Sequence, residues 1–361
     1  MKKVLAYEFR RILLPLCIFA AVAAALFAAA ALSTDFIDVW YEPIDEFGEI
    51  MMPHYRAGDT LLYIPALTLA VLCTAVPVMQ FSYRMKRRSA DLWYSLPVKR
   101  ETLMLARTLS GLVLVLAPYA LSYWAGFAVI ACKENMFYLE QYVYLFFASI
   151  PVAVLLFGTN AFLFTRANTT GDGIVFIAAW AFLLMMPFLY LTTYFYREMP
   201  VQINNLTNYI SFMPLADLFA GFDNAVRSGR IAIQDPALLY SLWGVIGAAS
   251  YFGLFFTAKK HPAENAGQIS SSLFGYRTVI PAYLFFGACC AAGDSLFFYS
   301  SSSSPVLDSS SVVTLALLLA AGLVAFFAYR RTFRIKLADI LSLAGSLLCG
   351  TLVALVTVLC I

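Results

Sequence analysis

Few side chains in this sequence combine the types and spacing that catalysis requires. The two histidines, His54 and His261, stand far apart in the chain, and neither belongs to a zinc-binding array of the HExxH type. No GxxxxGK[ST] segment, the phosphate-binding loop of many ATPases, occurs anywhere. We therefore predict that the chain is not an enzyme, and that any ATP hydrolysis it depends on takes place in another polypeptide.

Metal and redox chemistry also lack a convergent set of ligands. The seven cysteines lie inside apolar runs without a CxxC pair, which is typical of small core residues. The segment 33–59 carries seven acidic residues, and a cation site that also uses His54, Met51 and Met52 is conceivable. Because nothing in the sequence brings these side chains together, we predict a solvated acidic loop, no metal site and no cofactor.

A basic and aromatic segment, residues 83–107, stands between two long apolar runs. It holds seven basic and two acidic side chains, so its ends should lie at the lipid headgroups. Within it Ser89 can cap a short helix, Asp91 suits the first turn, and Pro97 ends the helix after Leu96. The spacing predicts a helix of about two turns.

This short helix carries more apolar surface than it can bury by itself. At helical spacing one face is shared by Ala90, Trp93 and either Leu96 or Pro97. Leu92 and Tyr94 broaden the apolar surface. Two interpretations remain open: the aromatic rings lie back on the bilayer as interface residues, or the helix docks on a cytoplasmic protein.

The elements around this segment must be membrane helices. Of the 361 residues 62% are hydrophobic and 12% charged, with a mean hydropathy of +0.79, far from the soluble average. This composition predicts an all-α polytopic membrane protein. The small net charge of +3 argues against nucleic acid as a partner.

Apolar runs long enough to cross about 30 Å of hydrocarbon predict eight spans. They lie at 12–34, 60–83, 108–132, 141–165, 173–196, 236–258, 309–329 and 340–361. A shorter run at 278–293 suggests a ninth span, which would extend to residue 299. We expect the first span to be retained, because its run is longer than the core of a cleaved signal peptide.

The distribution of charge predicts the orientation of the spans. With nine spans, 19 of the 24 lysines and arginines fall on the side of the N-terminus, which matches the positive-inside bias. The N-terminus is then cytoplasmic, and the C-terminus lies outside if the ninth span exists. Residues 1–11 are expected to form an amphipathic helix on the inner membrane surface.

The spans also predict how the chain is divided. We expect a six-span core at 12–258, a cytoplasmic linker at 259–278 and a C-terminal membrane segment of two or three spans at 279–361. The middle of each predicted span lacks ionisable side chains, which argues against a secondary carrier. Residues 196–236 are interrupted by prolines and rich in asparagine, so we expect them to lie at the outer interface or to re-enter shallowly.

Two segments carry a resemblance to a known family. RRSADLWYSLPVKRETL resembles R-x-x-D-L-Y-x-S-L-P-V-x-R, found between the second and third spans of many Firmicute exporter-type ABC transporter permeases. The matching positions are Arg88, Asp91, Leu92, Trp93, Ser95, Leu96, Pro97, Val98 and Arg100. KKHPAENAG at 259–267 is similar to the family's linker, so the likeness covers residues 1 to about 267.

The resemblance implies a permease subunit of a bacterial cell (inner) membrane exporter that works with a separate ABC ATPase subunit. Its coupling helix, Ala90 to Leu96, would dock in a groove of that ATPase, with a second permease subunit completing a homo- or heterodimer. The implied docking residues are Arg87, Arg88, Asp91, Leu92, Trp93, Tyr94, Ser95, Leu96 and Pro97. The uncharged path favours efflux of an amphipathic or apolar solute such as an antimicrobial peptide or a lipid.

A second hypothesis uses the same helix differently. A membrane immunity or sensor protein that transports nothing could also recruit a cytoplasmic partner through it. Trp93 differs from the segment of the exporter-type permeases, which usually has Tyr or His at this position.

Overall fold

The computed structural model describes most of the chain as helices. The described residues are 2–34, 37–41, 53–57, 59–95, 98–133, 139–194, 215, 218–219, 236–258, 264, 266–270, 272–299, 309–334 and 336–360. The helices are α1 (Lys2–Ser33), α2 (Asp59–Phe81), α3 (Arg87–Tyr94), α4 (Arg100–Lys133), α5 (Leu139–Phe164), α6 (Thr170–Tyr194), α7 (Pro236–Ala258), α8 (Tyr276–Tyr299), α9 (Ser309–Arg330) and α10 (Leu337–Cys360). The fold is that of an all-α polytopic membrane protein.

Within the described residues, eight helices are long and apolar enough to cross a membrane. They coincide with the eight predicted spans, because a run of this length can satisfy its backbone groups in hydrocarbon only as a helix. The suggested ninth span falls on α8, a helix of 24 residues that is not among those eight. The sequence around 196–236 lies mostly outside the described residues.

The N-terminal segment differs from its prediction. Residues 1–11 were expected to form a separate interfacial helix, but α1 continues without a break from Lys2 to Ser33, with Pro15 inside it. Glu8, on the expected surface helix, is fully buried. The first turns of α1 pack against α4 rather than lying apart, because α4 supplies a charged partner for Glu8.

The predicted solvated acidic loop contains a β-hairpin instead. Strand β1 (Ile37–Tyr41) pairs in antiparallel fashion with β2 (Pro53–Ala57), and the register sets Val39 opposite Tyr55. Val39, Trp40 and Tyr41 in β1 and Tyr55 in β2 are residue types that favour extended backbone. Residues 42–52, with most of the acidic side chains and both methionines, lie outside the described residues. Of the conceivable cation site, His54 lies on β2, and Met51 and Met52 are outside the description.

The chain forms two compact units. The first contains residues 1–84, 88–162 and 212–263, and the second contains 85–87, 163–211 and 264–361. The first unit therefore holds all of α1, α2, α4 and α7. It also holds most of α3 and most of α5. Its core lies along α4, whose buried Tyr119 and Tyr123 bond to Ser149 and to the carbonyl of Tyr142 on α5, both at 2.7 Å.

The second unit groups helices from distant parts of the sequence. It joins α6, the fifth predicted span, to the C-terminal helices α8, α9 and α10. Hydrogen bonds from three tyrosine hydroxyls join α6 to these helices. On α8, Tyr276 donates to Asp172 of α6 at 2.9 Å, and Tyr283 donates to the Ala179 carbonyl of α6 at 2.7 Å. On α6, Tyr190 donates to Thr357 of α10 at 3.0 Å. These long-range hydrogen bonds hold α6 to the C-terminal helices within the second unit.

Candidate functional site

Helix α3 is the predicted docking helix, and it forms close to where the sequence places it. It follows a 3-10 turn at Ser82–Met85 and ends where the Ser95 amide donates to the Asp91 carbonyl at 3.0 Å. The Ser95 hydroxyl donates to the Leu92 carbonyl at 2.9 Å and closes the same turn. The prediction that Ser89 caps the helix is wrong, because the helix begins at Arg87 and Ser89 lies inside it.

One face of α3 is turned toward its own chain. Ala90 is fully buried and Trp93 is partly buried. The Trp93 ring centroid lies 6.1 Å from that of Tyr7 on α1 and 6.0 Å from that of Tyr83 in the preceding turn. The indole therefore packs within the first unit, a placement that neither open interpretation had anticipated.

Arg107 of α4 lies at the centre of this packing. The carbon at the centre of its guanidinium, Cζ, is 3.7 Å from the ring centroid of Tyr83 and 4.2 Å from that of Trp93. Its Nη1 donates to the Gln80 carbonyl on α2 at 2.8 Å, and its Nε lies 3.3 Å from Glu8 Oε1. We call Tyr7, Glu8, Tyr83, Trp93 and Arg107 the Arg107 cluster.

The electrostatics of the Arg107 cluster explain its cohesion. The side chains of Glu8 and Arg107 are both fully buried, and Glu8 Oε2 also lies 3.2 Å from Nη1 of the partly exposed Arg11. Desolvating one charge is costly, so each of the two buried charges depends on the other. Two aromatic faces add attraction to the guanidinium cation. The cluster thereby ties α3 to α1, α2 and α4.

The opposite face of α3 is open. Its exposed predicted docking residues are Arg87, Arg88, Asp91, Leu92 and Ser95. Leu92 is 65% exposed, so a large apolar side chain stands among charged neighbours. Within the second unit, Arg87 Nε donates to the Ala266 carbonyl at 3.1 Å.

The remaining predicted docking residues are less completely placed. Tyr94 is the last residue of α3, but its side chain is not among those that the structure describes. Leu96 and Pro97 lie outside the described residues. The structure thus brings five of the nine residues to one open surface and turns Trp93 to the inner face.

Sequence reasoning missed the partners of Trp93. Arg107 was counted among the basic residues at the headgroups, but its side chain is fully buried. Arg84, counted in the same way, is only 4% exposed. A signal was present: Glu8 is an acidic residue within a basic leader, and Arg107 stands at the edge of an apolar run. An isolated acid and an isolated base at equivalent membrane depth are candidates for a buried pair.

The described residues contain no group of three or more histidine, cysteine, aspartate or glutamate side chains that could hold a metal ion. The arrangement at α3 combines an exposed face with buried contacts to the membrane helices α1 and α4. No protein-family model, curated protein or solved structure matches this chain.

Proposed function

We propose that the chain is the membrane-spanning permease subunit of an ATP-driven exporter, and that α3 docks on a separate ATP-hydrolysing subunit. The observation that carries the proposal is the contrast between the two faces of α3. Leu92 is 65% exposed on one face, while Trp93 on the other packs against the buried Arg107. A helix that transmits force needs both an open surface and a firm internal attachment.

The open face supplies the contact with the ATPase. Burying a leucine side chain contributes about 1.5–3 kcal/mol, so Leu92 is suited to be the apolar anchor. Arg88 and Asp91 stand beside it in exposed positions and can set the register and the identity of the partner. The resemblance of this segment to exporter-type permeases supports the same assignment.

The inner face passes a displacement of α3 to the spans. Trp93 and Arg107 connect α3 directly to α4, and Glu8 extends the connection to α1. Packed interiors have low compressibility, so a movement imposed on α3 shifts these helices instead of being absorbed. The Arg107 cluster is then the point at which nucleotide-driven movement of the ATPase enters the membrane part.

Assembly and substrate follow the same reasoning. The subunit works with a second permease subunit in a bacterial cell membrane, because one ATPase pair closes on two coupling helices. The solute is amphipathic or apolar, since the middle of the spans offers no ionisable group to bind a charged one.

Site-specific crosslinking tests the proposal. Benzoylphenylalanine replaces Leu92 in the full-length chain in cells, and crosslinked proteins are identified by mass spectrometry. Leu273 is the matched control position, because it is also a leucine, is 72% exposed and is predicted to face the cytoplasm. We expect a P-loop ATPase to be crosslinked from position 92 and not from position 273.

A substitution then tests the same contact. Leu92→Asp should lower co-purification of that ATPase at least about tenfold, the effect of losing about 1.4 kcal/mol, whereas Leu273→Asp should not change it. An ATPase that binds equally to both variants contradicts the proposal. A crosslinked partner without a P-loop supports the non-transporting immunity or sensor protein instead.

A further inference from the structure

The second unit contains a large apolar cavity that the proposed function does not use. It has a volume of about 830 Å³ and lies between α6, α8 and α9. Most of its wall is apolar, with large side chains such as Leu284 and Phe286 on α8 and small ones such as Ala321 and Ala325 on α9. A volume in this range is typical of sites for small molecules.

One end of the cavity is polar. Asp172 and Tyr276 meet there through a 2.9 Å hydrogen bond from the tyrosine hydroxyl, and the hydroxyl of Tyr329 donates to the Ser270 carbonyl at 3.1 Å. Arg331, the residue after α9, completes this end. Arg331 is exposed and has a positive φ of 53°. The described residues give it no ion-pair partner.

The segment 330–336, which contributes Arg331 to the cavity wall, carries an excess of positive charge. Arg330 is neutralised by Asp339 at 2.6 Å, but Arg331, Arg334 and Lys336 are exposed. Phe333 between them is 91% exposed. The charge distribution of the chain predicts that this end faces the cytoplasm, where the inner leaflet presents anionic headgroups.

We propose that this cavity binds an anionic phospholipid, with an acyl chain along the apolar wall and the headgroup phosphate at Arg331. A lipid supplies both an apolar chain and an anion, which matches the two ends of the cavity. A partner helix does not fit, because a spanning helix occupies roughly 2,000 Å³. Asp172 keeps its negative charge when it accepts the neutral Tyr276 hydroxyl. Asp172 and Asp339 together offset only two of the four basic residues of 330–336, so the net charge of +2 favours an anionic headgroup over a zwitterionic one.

Lipid binding to the full-length chain tests this site independently of any ATPase. The purified protein in mixed micelles is titrated with phosphatidylglycerol or phosphatidylethanolamine, and bound lipid is counted by native mass spectrometry. We expect phosphatidylglycerol to bind more tightly by about fivefold or more, the effect of one favourable basic residue near the headgroup. Millimolar inorganic phosphate should not displace it, because phosphate lacks the acyl chain.

Two matched pairs of variants locate the site. Arg331→Gln should weaken phosphatidylglycerol binding about fivefold, whereas Arg334→Gln, outside the cavity wall, should change it less than about twofold. Ala325→Phe should reduce binding by filling the cavity, whereas Ala320→Phe, on the exposed side of the same helix, should not. Both arginines are exposed, so their replacement should leave the unfolding temperature without lipid unchanged.

Several outcomes would overturn the lipid site. Equal binding of the two lipids would remove the role of the charge of 330–336. Equal effects of the two arginine substitutions would show that only diffuse surface charge matters. Full displacement by inorganic phosphate, or unchanged binding in Ala325→Phe, would show that the cavity holds no acyl chain.

Discussion

The buried pair between Glu8 and Arg107 provides the sharpest test of how α3 is attached. Replacing Arg107 with Leu removes the charge 3.3 Å from Glu8 and leaves a fully buried carboxylate. Breaking a buried pair in this way costs about 3–5 kcal/mol. Because Arg11 still lies 3.2 Å from Glu8 and is partly exposed, we expect the lower end of that range for the pair itself.

The aromatic contacts add to this cost. The guanidinium Cζ lies 3.7 Å from the Tyr83 centroid and 4.2 Å from the Trp93 centroid, and each desolvated contact of this kind contributes about 1 kcal/mol or more. We therefore expect Arg107→Leu to lower the free energy of unfolding by about 5 kcal/mol in total. Glu8→Gln should cost about 3 kcal/mol, because it leaves Arg107 buried without its counter-ion.

A double-mutant cycle separates the pair from the rest. Unfolding free energies are measured by titrating the wild type, both single variants and the double variant with denaturing detergent in mixed micelles. Once one partner is gone, loss of the other costs little, so the double variant should be about 3 kcal/mol more stable than the sum of the single effects predicts. A coupling energy below about 0.5 kcal/mol would refute the buried pair.

Two further pairs of substitutions test the packing around the site by the same unfolding measurement. Trp93→Ala should destabilise the protein by about 2 kcal/mol, below the cost for a fully buried aromatic residue, whereas the neighbouring Leu92→Ala should change stability by less than about 0.5 kcal/mol. Equal effects would mean that Trp93 is not packed on the Arg107 cluster. Gly126→Ala should cost about 1–3 kcal/mol, because the new Cβ would overlap the Phe27 ring where α1 crosses α4. Gly345→Ala, with nothing within 4 Å of the added Cβ, is its control and should be neutral or stabilising by up to about 1 kcal/mol; destabilisation of the same size at both glycines would contradict the close approach.

Local properties of the chain were accessible from sequence. Eight spans were predicted at the positions where the structure has eight apolar helices, because lipid leaves a long apolar run one way to satisfy its backbone. The short helix at α3 was also predicted, but its start was placed three residues too late and its end two residues too late, because capping signals are weak. The expected ninth span, orientation and docking partner remain predictions.

Other features depended on contacts between distant parts of the chain. The hairpin β1–β2 was missed because its strands are short and its acidic composition suggested only solvation. The contacts of α6 with later helices were not predicted, because a single tyrosine hydroxyl leaves no periodic signal in a sequence. Glu8 was missed for the same reason, since its partner comes from another helix.

The sequence alone determined that this is a membrane protein of many helices with a short helix between its second and third spans, because hydrophobic length and local charge act within one segment. Only the tertiary structure decided which way that helix faces. Trp93 turns inward because a buried Arg107 offers its ring a cation that α1 neutralises with Glu8, and Leu92 is thereby turned outward. The direction of each side chain depends on the charge and shape of neighbours that the local sequence does not contain.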